Sequence, residues 1–247
     1  MLTDHWPQGA RDMLHSPRHN QHAKPRHSND ASHALAKAFR DFVGQFAYPC
    51  FGAKAALHRN GLRFLIARDV RSGADDRRIL GTLIQHPGNA NPFQSVVVLF
   101  ERGGELSEEQ FEGALWSRLQ AMAEIDRTLG HAPDSRVASD PENKDFAISF
   151  GGAAFFVIGL HPRSSRAARR FAAPGLVFNL HDQFMRLRVD GRYRTLRAAI
   201  IDRDRAFSGS VNPMLAEHGT KSAARQYSGR AVGEDWRCPF RAASAPE

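Results

Sequence analysis

Phe146-Ala147-Ile148-Ser149-Phe150-Gly151-Gly152-Ala153-Ala154-Phe155-Phe156-Val157-Ile158-Gly159 reads as a β-hairpin. Two apolar runs, 146–150 and 153–159, flank a Gly-Gly pair, and only glycine takes positive φ freely at both centres of a tight hairpin turn. Upstream, Ser95-Val96-Val97-Val98-Leu99-Phe100 is a continuous β-branched run, expected of a strand buried on both faces. Segments 61–67 and 175–179 read as further strands. Apolar residues at helical spacing place helices at 34–43, 53–58, about 107–129, about 181–189 and about 193–207. Ser107 and Gln110 have the spacing of a capping box at the start of the longest one. A hairpin among interleaved helices and strands predicts an α+β fold: a single domain with a central mixed β-sheet flanked by helices.

Residues 1–32 hold five His and three Pro without an apolar period, and read as a disordered His-rich tail. The domain is expected over 33–240, followed by a C-terminal tail at 241–247. The chain of 247 residues, 42% hydrophobic with 17 Phe, can bury a sizeable core. Its longest apolar run, 153–160, is too short to span a membrane, and Met1-Leu2-Thr3-Asp4-His5 lacks signal-peptide order. A cytoplasmic protein with no membrane partner is expected. The net charge is +8, and eleven Arg against four Asp fall between Arg163 and Arg205. Such a band suits a solvated helix face, a nucleic acid, or the paired carboxylates of a cofactor. No recognised nucleic-acid motif accompanies it, so nucleic acid is the disfavoured partner.

The only two cysteines, Cys50 and Cys238, belong to no CxxC pair, which excludes a disulfide framework and a structural zinc site. Cys50, in Tyr48-Pro49-Cys50-Phe51-Gly52, opens a short helix. It reads either as a buried packing thiol or as a thiolate favoured by unpaired helix N–H groups. Two histidines, His161 and His181, each follow a strand end directly. Each can ligate a metal or move a proton, and each can equally be a hydrogen-bonded structural residue. Arg163, Arg166, Arg169 and Arg170 follow His161, and Arg186 and Arg188 follow His181. Forked cations near two histidines suit a phosphate, or a heme through its propionates. No Walker loop, GxGxxG, HExxH or GxSxG is present.

At these same residues the sequence resembles the YqcI/YcgG family. The blocks that carry the resemblance are Tyr-Pro-Cys-Phe-Gly-Ala-Lys (48–54), Ser-Phe-Gly-Gly (149–152), Phe-Phe-Val-Ile-Gly-Leu-His-Pro-Arg-Ser-Ser-Arg (155–166) and Leu-Val-Phe-Asn-Leu-His-Asp-Gln-Phe (176–184). Arg-Asp (203–204), Gly-Ser-Val-Asn-Pro-Met-Leu (209–215), Gln-Tyr-Ser-Gly-Arg (226–230) and Trp-Arg-Cys-Pro-Phe (236–240) complete it. Met185-Arg186 departs from the acidic residue the family pattern leads one to expect there. Characterised relatives look like heme-dependent N-hydroxylases of guanidino compounds, including arginine-derived ones and the guanitoxin precursor. The resemblance therefore implies protoheme, O2, an external electron donor or redox partner, and a guanidino or amine substrate.

On that footing Cys50 is the favoured iron ligand, because a thiolate pushes electron density toward O–O cleavage. His161 and His181 are its rivals, or else proton carriers; Arg163, Arg166 and Arg186 are the expected cofactor-binding cations. Asp145, Asp182 and Asp202 are the carboxylates considered for a cationic substrate. Cys238 is expected in a C-terminal segment packed onto the domain. The alternative is a non-enzymatic heme carrier or sensor.

Overall fold

The computed structural model describes residues 30, 33–86, 93–189, 193–215 and 220–242. All of the expected tail 1–32 except Asp30 lies outside those residues, as does 243–247.

Strands β1 (Leu62–Asp69), β2 (Ser95–Arg102), β3 (Ile148–Phe150), β4 (Ala153–Leu160) and β5 (Gly175–Leu180) form one sheet in the order β1-β2-β5-β4-β3. The β1–β2 pair is parallel and the other three pairs are antiparallel, so the sheet is mixed as expected. Gly151 and Gly152 have φ of 58° and 77°, which closes the β3–β4 hairpin. Ser95 to Phe100 are all buried. Their alternating side chains feed two cores, Val96, Val98 and Phe100 on one face and Val97 and Leu99 on the other.

Helices α1 (Ala34–Gly44) and α2 (Phe51–His58) cover one face with Phe39, Val43 and Leu57. On the opposite face lie α3 (Asp76–Ile84), α4 (Glu108–Thr128) and α7 (Ala224–Tyr227). Both halves of the capping box form at α4, with Ser107 Oγ accepting from Gln110 N and Gln110 Oε1 accepting from Ser107 N. Trp116 of α4 stacks on Tyr227 at 5.5 Å, and Trp236 and Phe240 close over the same ring. The C-terminal stretch thus packs onto the domain, as expected of the segment that carries Cys238. Helix α5 (His181–Val189) continues β5 without a loop, and α6 (Tyr193–Ser208) follows it. After His161 there is a single 3₁₀ turn, Ala167–Arg169. Among the described residues no helix is long and apolar enough to cross a membrane.

Candidate functional site

A cavity of about 600 Å³ opens on the α1–α2 face of the sheet. Its floor is apolar: Phe156, Ile158 and Leu160 of β4 and Val177 of β5 line it, with Ile200 and Ile201 of α6 opposite. Cys50 and His181 both reach it, as do Arg166 and Arg169. Its size and mostly apolar wall suit a small organic ligand.

Cys50 is the N-cap of α2, and its Sγ accepts from Ala53 N at 3.5 Å. The geometry is the one anticipated, but its consequence for the thiol is not. Burial pushes the Cys50 thiol up, and the N–H groups of Ala53 and Gly52 and the charge of Arg169 only partly oppose it. An eight-residue helix does not make a free thiolate here. The proton leaves when a positive centre takes its place, as in thiolate–metal bonding. Cys238 sits on the other face of the sheet, where its thiol is pushed up to about 12 by burial.

Arg203 and Asp204 of α6 tie the walls together. Arg203 donates to the carbonyls of Phe46 and Tyr48 and lies over the Phe51 ring at 4.9 Å, which clamps the segment bearing Cys50. Asp204 forms a buried ion pair with Arg166, whose guanidinium also donates to Ser210 Oγ at 2.9 Å and Ser210 O at 2.8 Å. The Arg-Asp and Gly-Ser blocks are therefore parts of one clamp on Arg166. His181 sits at the start of α5, half-buried on the cavity wall. Gln183 holds α5 to the start of β2 by accepting from Gln94 N at 3.1 Å and donating to Gln94 O. Asp182 pairs with Arg136 at 2.6 Å.

The two strand-end histidines do not share a site. Strands β4 and β5 run antiparallel, with Leu160 opposite Gly175 and Leu180 opposite Phe155. Their C-terminal ends lie five residues apart along the sheet, about 17 Å at the rise of an extended strand. His161 is buried outside the cavity and stacks on Phe111 at 4.8 Å. Its Nε2 contacts Gly103 O at 3.2 Å and its Nδ1 accepts from Arg163 N at 3.1 Å, so both ring nitrogens are engaged. Burial lowers its pKa, which keeps it neutral and structural. Arg163 follows it away from the cavity and donates to Glu105 O. Arg186 is exposed on α5 and does not line the cavity. Of the three expected cofactor-binding arginines, Arg166 alone reaches it.

Arg169, one of the four arginines after His161 but not among the expected cofactor-binding cations, reaches it too. Its Nη1 donates to Gly159 O at 3.0 Å and Tyr227 O at 3.4 Å, and its Nη2 to Gln226 O at 3.2 Å. Gly229, at φ 85°, lies against its stem, where a Cβ would stand 3.3 Å from Cγ. The Gln-Tyr-Ser-Gly-Arg block is thus a cradle of carbonyls around an arginine. Arg163, Arg166, Arg169, Arg170, Arg197 and Arg203 all donate to protein oxygens, so much of the basic band is engaged in the fold's own hydrogen bonds. Of the carboxylates considered for a cationic substrate, Asp145 lines the cavity but pairs with Lys144 at 3.0 Å. Asp182 is held by Arg136, and Asp202 borders a shallow depression beside α6.

Neither the comparison with curated proteins nor that with solved structures gives a match. The model of one family, described as the YqcI/YcgG family, matches residues 39–241, a stretch that holds the sheet, both cysteines and every cavity residue named above. The chain belongs to the YqcI/YcgG family.

Proposed function

We propose that the protein is a heme-dependent, O2-using N-hydroxylase of a guanidino or related nitrogen compound, with Cys50 as the residue that would hold the iron. The observation that carries this reading is the convergence of the helix-capping Cys50, His181, the buried Arg166 and the half-buried Arg169 on one apolar-floored cavity. The donor set fits a heme. Among the described residues no three His, Cys, Asp or Glu converge on a bare metal ion. A porphyrin brings its own nitrogen ligands and would ask the protein for one side-chain ligand, here Cys50, and for cations to meet its carboxylates. When bound, heme supplies activation of O2 by external electrons, and thiolate ligation favours O–O cleavage.

The chain's own residues would do the rest. The N–H groups of Gly52 and Ala53 and the charge of Arg169 hold negative charge on Cys50 Sγ. Phe156, Ile158, Leu160 and Val177 keep water from the floor. His181, on the wall, takes or gives a proton at a ring nitrogen. The lining carries Arg136, Lys144, Arg166, Arg169, Arg197 and Lys221 against Asp145 and Asp204. A cationic nitrogen compound therefore needs anionic groups beside it, which porphyrin carboxylates would provide. The reading includes a cytoplasmic setting and a redox partner that supplies the external electrons.

The test is O2 uptake by the hemin-loaded protein with a reductant, with and without a guanidino compound. Uptake that rises with the compound and yields an N-hydroxylated product supports the reading. Hemin binding with no compound-dependent uptake for any guanidine or amine supports a carrier or sensor instead.

A further inference from the structure

A guanidinium has five N–H groups in a planar fork. In Arg169 three of them donate to the carbonyls of Gly159, Tyr227 and Gln226, two from Nη1 and one from Nη2. The Nε–H and the second Nη2–H remain, the pair that grips a carboxylate side-on. Of the other cavity cations, Arg197 donates to Leu215 O at 3.1 Å, and Arg136, Lys144, Arg166 and Lys221 each have a carboxylate within ion-pair distance. Among the described residues Arg169 has none, although it lines the same cavity and is buried enough for its pKa to fall. Three neutral carbonyls orient this cation, and Asp204, whose charge acts on it from beyond ion-pair distance, is already paired with Arg166.

We infer that Arg169 is the anion-binding residue of the cavity, and that its open Nε/Nη2 edge receives a carboxylate of the bound ligand. The carboxylate comes either from a small molecule or from a porphyrin side chain, and only the second source rests on the heme reading above. Carbonyl oxygens hold the fork at its far edge, so the side chain is set before the ligand arrives. Gly229 leaves room for the stem, and the Gly159 carbonyl fixes its reach into the cavity.

The experiment has two arms, each run on wild type, Arg169→Met and Arg169→Lys. Calorimetry compares benzoate with benzamide on the ligand-free protein. Absorption titration compares hemin with hemin dimethyl ester. A charge-assisted bond predicts a preference of about tenfold for the free carboxylate in at least one arm. Arg169→Met should reduce that preference to within about twofold, with partial recovery in Arg169→Lys. Preference in the benzoate arm assigns the site to a small carboxylate, and preference in the hemin arm alone assigns it to the porphyrin. If the variants do not fold, the Arg169 Nε–H resonance of the wild type replaces them: it should move with the preferred carboxylate and not with its neutral analogue. Equal binding in both arms, a preference unchanged in Arg169→Met, or an unmoved Nε–H resonance overturns the inference. Benzoate preference without any hemin binding would sink the heme reading and leave this one standing. A Soret band with no preference in either arm would do the reverse.

Discussion

Replacing Asp134 by Asn removes a charge without changing shape, and its cost is expected to depend on pH in a specific way. Asp134 is buried and accepts from Arg136 N at 3.0 Å, Arg136 Nε at 2.8 Å, Arg136 Nη2 at 2.6 Å and Ala154 N at 3.2 Å. The Arg136 hydrogen bonds hold its pKa at about 2, against an ordinary value of 3.8. That depression corresponds to about 2.5 kcal/mol if the whole shift acts on stability. The Arg136 side chain is 59% exposed, so screening reduces the expected cost to about 1.5 kcal/mol.

A depressed carboxylate stabilises the fold fully above its unfolded pKa and loses that contribution as pH falls through the folded one. Urea unfolding of wild type and Asp134→Asn should therefore show the full gap at pH 7 and pH 5, and about half of it at pH 3. A gap that stays constant down to pH 3, or no gap at pH 7, would refute the electrostatic reasoning. The same Arg136 reaches Asp182 beside His181, so the variant should also loosen the start of α5.

Three further outcomes are expected. Gly159→Ala places a Cβ 2.8 Å from Leu115 Cδ1 and 2.9 Å from Tyr227 O, and should lower stability by about 1–3 kcal/mol in urea. Asp204→Asn leaves the buried Arg166 without its carboxylate, and should cost about 3 kcal/mol or more, part of which Arg166→Met in the same chain should recover. Tyr227→Phe removes the hydroxyl that donates to Phe155 O at 3.0 Å and accepts from Ile148 N, and thermal unfolding should report a loss of about 1–3 kcal/mol.

Much of the architecture was legible because it is local. The Gly151-Gly152 hairpin, the β-branched run at Ser95 to Phe100 and the Ser107/Gln110 box each state their geometry within a few residues. Helix α3 escaped notice because its apolar residues Ile79, Leu80 and Leu83 cluster in a short segment interrupted by Gly81. The site was half legible. The blocks carrying Cys50, Arg166 and His181 do meet at one cavity. His161 looked equivalent to His181, since both follow strands, and only the antiparallel pairing of β4 with β5 shows that their ends point apart. Arg169 was named among the four arginines after His161, but nothing in the sequence set it apart from the others. Its distinction lies in backbone carbonyls from a block more than fifty residues away, which side-chain identity does not announce.

Heme ligation by Cys50 is read out by the absorption spectrum of the purified protein with added hemin, recorded for wild type and Cys50→Ser. A Soret band is expected in the wild type, strongly red-shifted in the reduced carbon-monoxide complex, with the red-shifted form lost in Cys50→Ser. The absence of any Soret band would contradict the heme site. A globin-like carbon-monoxide spectrum in the wild type, unchanged in Cys50→Ser, would contradict thiolate ligation by Cys50 and move the iron to His181.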